Sequence, residues 1–228
     1  MRDLPEQAAH HAARVLRLVP GDPVRLFNGD GSQWDAQITI VRKSMVSVRV
    51  GSRSELDMEA PLRVVLAQSI SSRERMDFTV QKAVELGVAE IWPLETRRSV
   101  VRLREERASR RVEHWQNLVI AACEQCGRNL VPQVRPVEAF ADWLGTLPRA
   151  ATGLRMMLAP GATLRLRDLP VPTEVLLLAG PEGGLDPEEQ DIAATCGFQA
   201  VRLGPRILRT ETAALAAVAA MHALWGDF

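Results

Sequence analysis

Residues 62–67 read Leu62-Arg63-Val64-Val65-Leu66-Ala67, a nearly unbroken apolar run. A strand with one wet face alternates polar and apolar residues, so a run of this kind belongs to a strand covered on both faces. Comparable runs recur at residues 154–158 and 175–179, with shorter ones at 90–93 and 200–203. Helical patterns separate them. Residues 73–86 form one helix, stopped by Gly87; residues 105–126 form another, with Val112, Trp115, Val119, Ala122 and Cys126 three or four apart and Gly127 as terminator. Asp186-Pro187-Glu188-Glu189 opens a further helix, because aspartate caps, proline fits the first turn and the glutamates suit the positive dipole end. Strands and helices in alternation imply an α/β domain with a mostly parallel sheet over residues 60–228.

The first part of the chain differs. A short helix over residues 10–19 precedes the turn Pro20-Gly21-Asp22, and strand-like runs follow at 24–27, 34–40 and 45–50. Asn28-Gly29-Asp30-Gly31 lies between the first two, and Asn and Gly tolerate the positive φ that hairpin turns need. Short strands with tight turns imply a small β-barrel or curled sheet over residues 1–59.

Composition excludes more than it selects. With 46% hydrophobic and 25% charged residues the chain is of globular type. No run approaches the roughly 20 apolar residues of a membrane span, and the first residues hold no apolar signal core, so the expected location is the cytoplasm. Cys123-x-x-Cys126 lies inside a helical pattern with neither a second pair nor a histidine at ligand spacing, so both cysteines read as helix residues and no metal is expected. His10, His11, His114 and His222 lack partners at catalytic spacing. Net charge is zero, but 26 of the 28 basic residues are arginine, and Arg97, Arg98, Arg102, Arg104, Arg107, Arg110 and Arg111 crowd one stretch. Such a cluster either grips RNA phosphates or forms a solvated face.

Ligands of parallel sheets bind beyond the carboxyl ends of the strands. Two of those ends carry unusual loops: Gly180-Pro181-Glu182-Gly183-Gly184-Leu185 after residues 175–179, and Gly204-Pro205-Arg206-Ile207-Leu208-Arg209-Thr210-Glu211-Thr212-Ala213 after residues 200–203. The first is neither a dinucleotide fingerprint nor a P-loop. Two glycine-bearing loops at neighbouring strand ends point to a small-molecule site.

These two motifs, about eighteen residues apart, resemble those of the SPOUT class of methyltransferases and, within it, the RsmE family of small-subunit ribosomal RNA uridine-N3 methyltransferases. Arg75-Met76-Asp77-Phe78-Thr79-Val80-Gln81-Lys82-Ala83-Val84-Glu85-Leu86-Gly87, Ala121-Ala122-Cys123-Glu124-Gln125-Cys126-Gly127-Arg128, residues 11–18 and Pro20-Gly21-Asp22 extend the resemblance over nearly the whole chain. It implies a PUA-like RNA-binding barrel at residues 1–59 and a SPOUT domain with a trefoil knot at 60–228. It also implies a homodimer, 16S rRNA or the 30S subunit as partner, and S-adenosyl-L-methionine (SAM) as cofactor. The implied cofactor residues are Leu158, Ala159, Pro160, Gly180, Pro181, Glu182, Gly183, Leu203, Gly204, Ile207, Leu208, Arg209 and Thr210. The chain departs from the family in reaching its first helix almost at once, so the first strand is expected to be short or absent. Arg75 stands where related sequences often carry lysine.

Methylating N3 of uracil requires an unpaired base and loss of the N3 proton. Arg209 is the expected stabiliser of the resulting anion, or else an anchor for the substrate phosphate. Glu182 and Glu211 are candidate proton acceptors, with helix N-terminal stabilisation the stronger role for Glu211. The arginines and lysine expected to hold RNA are Arg14, Arg17, Arg73, Arg75, Lys82 and Arg128. The final helix, residues 211–225, is apolar nearly all round and is the expected dimer face. Two rivals stay open: a SPOUT enzyme with another RNA target, and a non-catalytic RNA-binding assembly factor, distinguishable by failure to bind SAM.

Overall fold

The computed structural model describes residues 1–43, 45–54, 56–99 and 105–228. They form two units, Met1–Met58 with Gly127–Val131, and Glu59–Cys126 with Pro132–Phe228.

In the first unit, β1 (Arg2–Asp3), β2 (Pro23–Phe27), β3 (Gln33–Arg42) and β4 (Met45–Ser54) form an antiparallel sheet in the order β1-β4-β3-β2. Helix α1 (Glu6–His10) runs into a π-helical turn, His11–Val15. Ala9 and Ala12 pack from this helical stretch onto Ile38, Val46 and Val48 of the sheet. The helix therefore begins earlier than its apolar pattern predicts, directly after Pro5, and ends where Arg17 takes a left-handed φ of 55°. β1 is short, as expected, with two residues paired to β4.

The β2–β3 turn holds Gly29 and Gly31 at φ of 88° and 91°. Residues 127–131 close on it: the Gly31 amide donates to the Asn129 carbonyl at 3.1 Å and the Val131 amide to the Gly29 carbonyl at 3.0 Å. Asn129 also donates its side-chain amide to Gln33 Oε1 and the Leu56 carbonyl. This return segment comes from far along the chain, and no local pattern announces it.

The second unit contains β5 (Arg63–Ser69), α2 (Arg73–Glu85), β6 (Glu90–Glu95), α3 (Glu105–Cys126), β7 (Gln133–Val134), β8 (Glu138–Ala139), α4 (Phe140–Thr146), β9 (Leu154–Leu158), β10 (Leu164–Arg165), β11 (Glu174–Ala179), α5 (Pro187–Thr195), β12 (Gln199–Arg202) and α6 (Thr210–Trp225). The sheet order is β10-β12-β9-β11-β5-β6-β7, with β8 beside β6, and each of these pairings is parallel.

Successive residues Leu66 and Ala67, Leu177 and Leu178, and Met156 and Met157 are all buried. Because neighbouring side chains point to opposite faces, both faces of the sheet are covered. On one face Ala67, Met157 and Leu178 meet Phe140, Trp143, Leu144 and Ala193 of α4 and α5. Across the other lie α2, α3 and α6, with α6 against β5, β11 and α2. The path from β12 to α6 therefore crosses back past β9 and β11, and that return sets up the site.

Trp143 is fully buried, its ring centroid 6.0 Å from Trp92, 5.9 Å from Phe140 and 5.8 Å from Phe198. Trp143→Ala should lower the unfolding free energy by about 3–5 kcal/mol, as aromatic deletions in packed cores do. Urea denaturation followed by circular dichroism measures it; a loss under about 1 kcal/mol would contradict this packing.

Candidate active site

β12, β9 and β11 are adjacent, and the loops leaving their carboxyl ends close one cavity of about 350 Å³. This lies in the range of small-molecule sites, roughly 300–1,000 Å³. The β9 loop contributes Leu158, Ala159 and Pro160; the β11 loop contributes residues 180–185; and the β12 loop contributes Leu203, Gly204, Arg206, Ile207 and Leu208. Thr210 and Ala213 of α6 complete the wall with Arg98, Gln190 and Arg202.

Each loop is shaped locally. After β11 the Gly184 amide donates to the Pro181 carbonyl at 2.8 Å, closing a turn in which Gly184 takes φ 67°. A Cβ at Gly180 would sit 2.9 Å from the Leu185 nitrogen, so no side chain fits there. Asp186 then caps α5, accepting from the Glu188 amide, while Glu189 accepts from the Asp186 amide. After β9 the Ala162 amide donates to the Ala159 carbonyl, turning the chain at Pro160-Gly161.

The end of β5 and the residues just after it supply buried polar side chains next to this site. Gln68, Ser69 and Ser71 are each at most 2% exposed. Gln68 Nε2 donates to Thr210 Oγ1 at 3.2 Å, and Thr210 donates in turn to the Gly180 carbonyl at 2.5 Å. Three segments distant in sequence are joined by one hydroxyl.

Glu182 is tied down separately. Its Oε1 accepts from the Ser72 amide at 2.9 Å and from Arg75 Nη1 at 3.2 Å. Arg75 Nε also lies 3.9 Å from Glu211 Oε1. Burial raises the Glu182 pKa, but the backbone amides of Ser72 and of Glu182 itself, the Ser72 side chain and the Arg75 charge outweigh burial and hold it below its ordinary value. From the turn after β6, Arg98 donates to the Gly183 carbonyl and to Asp186, both at 3.1 Å.

Of the residues expected to bind cofactor, Arg209 alone does not line the cavity; it is exposed at the N-cap of α6. The expected RNA contacts separate into three groups. Arg14, Arg17 and Arg73 are exposed. Arg75 pairs with Glu182 and Glu211, and Lys82 with Glu85 at 2.7 Å. Arg128 is only 4% exposed, so it does not present a surface charge to a phosphate. Within the arginine cluster, Arg97 and Arg98 face Asp186 and Arg110 pairs with Glu106. Arg102 and Arg104 lie outside the described residues. Cys123 is buried in α3 and Cys126 half-buried. Among the described residues no His, Cys, Asp and Glu group is arranged to hold a metal, and no helix is long and apolar enough to cross a membrane.

Sequence reasoning missed Gln68, Arg98, Gln190 and Arg202. Gln68 alone carried a signal, a polar side chain directly after a buried apolar run.

A family model described as an RNA methyltransferase domain matches residues 58–222, and one described as an RNA methyltransferase PUA domain matches residues 4–50. The ribosomal RNA small subunit methyltransferase E of Buchnera aphidicola subsp. Acyrthosiphon pisum is 32% identical, over 99% of this chain and 88% of the relative. The chain belongs to the ribosomal RNA small subunit methyltransferase E family. The Bacillus subtilis member is 31% identical over 94% of this chain and 87% of its own. The crystal structure of the Neisseria gonorrhoeae member bound to S-adenosyl methionine superposes with TM-score 0.92 at 42% identity, covering 100% of this chain and 93% of that one. The family assignment accords with the PUA-like first unit and the parallel α/β second unit.

A carboxylate whose pKa is lowered by folding stabilises the native state above its unfolded pKa, and that contribution disappears as pH falls through the folded value. The stability of Glu182→Gln should therefore fall below that of the unchanged protein at neutral pH. The gap should close as pH drops from about 4.5 downward. Chemical denaturation across pH 3–7 (roughly the carboxylate range) reads this, and a pH-independent gap would contradict the ionised arrangement.

Proposed function

We propose that this protein transfers a methyl group from SAM to N3 of one uridine in 16S rRNA of the small ribosomal subunit. The observation that carries the reading is the single cavity closed by the β9, β11 and β12 loops, which gathers nearly every residue expected from the family motifs. The cavity suits an adenosyl ligand chemically. Leu158, Leu203, Ile207 and Leu208 offer apolar surface, glycine-bearing turns allow close backbone approach, and two buried polar atoms of its wall, Arg202 Nε and Glu182 Oε2, have no hydrogen-bond partner among the described residues. On this reading Leu158, Ala159, Pro160, Gly180, Pro181, Glu182, Gly183, Leu203, Gly204, Ile207, Leu208 and Thr210 hold the cofactor.

SAM, when bound, supplies a methyl group already activated on a sulfonium; the protein supplies position and electrostatics. Thr210 and Gln68 fix the Gly180 carbonyl, and Ser72 and Arg75 fix Glu182. A carboxylate held below its usual range and already accepting two hydrogen bonds is a weak base, so Glu182 serves to shape the loop, not to accept the proton. Arg209, exposed beside the cavity, stabilises the uracil anion or anchors the substrate phosphate. Residues 1–59 act as the PUA-like RNA-binding domain and 60–228 as the knotted catalytic domain, with Arg14, Arg17 and Arg73 as the phosphate contacts. The chain acts as a homodimer in the cytoplasm, where its ribosomal substrate is assembled. Ile207 at 84% exposure and Leu224 at 50% support an apolar partner surface on and before α6.

Calorimetric titration with SAM, followed by mass spectrometry of nucleosides from methylated small-subunit RNA, tests the reading. The expected product is 3-methyluridine; a ribose-methylated nucleoside, or no SAM binding, would overturn it. Arg209→Ala should lower turnover about a hundredfold, the usual effect of removing one charge-stabilising donor, with SAM affinity unchanged. Normal turnover by this variant would remove Arg209 from the mechanism. Sedimentation equilibrium should return a dimer, and Leu224→Glu should shift it toward monomer.

A further inference from the structure

We infer that Arg98 is a positioning residue of the cofactor cavity and not a contact for RNA. This inference rests on the cofactor reading above.

The backbone before and after Arg98 is fixed first. β6 ends at Glu95, and residues 96–99 close a turn: the Ser99 amide donates to the Thr96 carbonyl at 3.1 Å, the Thr96 amide to Ser99 Oγ at 3.1 Å, and the two hydroxyls lie 2.9 Å apart. Thr96 and Ser99 are both buried. Hence the direction in which Arg97 and Arg98 leave the sheet is set by buried hydrogen bonds.

Both arginines then meet the cap of α5. The Arg97 amide donates to Glu189 Oε1 at 2.9 Å, and its guanidinium faces Asp186 and Glu188. Arg98 reaches further. Its Nη2 donates to Asp186 Oδ2 and its Nη1 to the Gly183 carbonyl, both at 3.1 Å. Its stem lies flat against Gly183: a Cβ built there would sit 3.4 Å from Arg98 Cβ and 3.5 Å from Cδ, ordinary contact distances. Arg98 lines the cavity by this route. One guanidinium thus fixes the middle of the glycine turn relative to the helix cap that follows it.

Charge points the same way. These two guanidinium groups face Asp186 and Glu188, while Glu189 is taken up by the Arg97 main-chain amide. A guanidinium already paired with a carboxylate and a carbonyl at hydrogen-bond range offers a phosphate less attraction than a free one. Lysine could not replace the fork, because a single ammonium on a flexible stem does not hold two acceptors in one plane.

The test titrates SAM into the unchanged protein, Arg98→Ala and Arg98→Lys by calorimetry, and measures RNA binding of each against salt concentration. Arg98→Ala should weaken SAM binding about tenfold, the scale of one lost charge-assisted hydrogen bond, with Arg98→Lys between it and the unchanged protein. RNA affinity and its salt slope should stay the same. Equal SAM affinity in Arg98→Ala and the unchanged protein would overturn the inference, also if the melting temperature fell, since that is a purely structural role. A salt slope reduced by about one would overturn it too, by making Arg98 a phosphate contact. If Arg98→Ala does not fold, Arg98→Lys carries the test, and SAM affinity equal to that of the unchanged protein overturns the inference. No SAM binding by the unchanged protein would overturn the cofactor reading itself, a result distinct from equal binding by protein and variant.

Discussion

Thr210 donates its hydroxyl hydrogen to the Gly180 carbonyl and receives one from Gln68, and the partners of this short relay lie on β5, on the loop after β11 and at the start of α6. Thr210 is 8% exposed and Gln68 1%, so water competes poorly for these groups. Buried polar groups that lose a partner cost about 1–3 kcal/mol each, which makes the relay all-or-none in character. The β12 loop can wall the cavity because α6 is held at this point, and α6 is held here because its apolar side packs on α2, β5 and β11.

The glycine turn is soft by composition and needs restraint from outside itself. Two arginines provide it, Arg75 through Glu182 and Arg98 through the Gly183 carbonyl. Arg75 is among the expected RNA contacts, and Arg98 belongs to a cluster that reads either as an RNA grip or as a solvated face. In the folded chain their charges are spent on carboxylates and a carbonyl, and so a neutral protein with 28 basic residues has fewer free cations than its arginine content implies. Of the cations expected to meet RNA, Arg14, Arg17 and Arg73 stand exposed.

Much of this architecture is legible in the residues. Two-sided burial of β5, β9 and β11 follows from their unbroken apolar runs, and the α5 cap from Asp186-Pro187-Glu188-Glu189, because both signals are local. The loops at Gly180 and Gly204 are legible for the same reason. What escapes is whatever depends on a distant partner. Arg98 is indistinguishable from Arg107 until Gly183 and Asp186 are brought beside it. Arg128 reads as a surface charge because the segment 127–131 shows no sign that it folds onto Gly29 and Gly31. α1 begins earlier than expected, since Ala9 and Ala12, small and unremarkable as sequence, are what the sheet of the first unit buries. α4 is invisible for lack of length: seven residues cannot display a helical period.

The Gln68–Thr210 hydrogen bond spans 142 residues of chain. Contacts of that separation carry a large closure entropy and form only after nearer ones have narrowed the search. The sheet and its flanking helices can assemble from βα neighbours, whereas the cleft awaits the return of the chain past strands already laid down. Competence for ligand is therefore expected to be among the last properties a refolding chain regains.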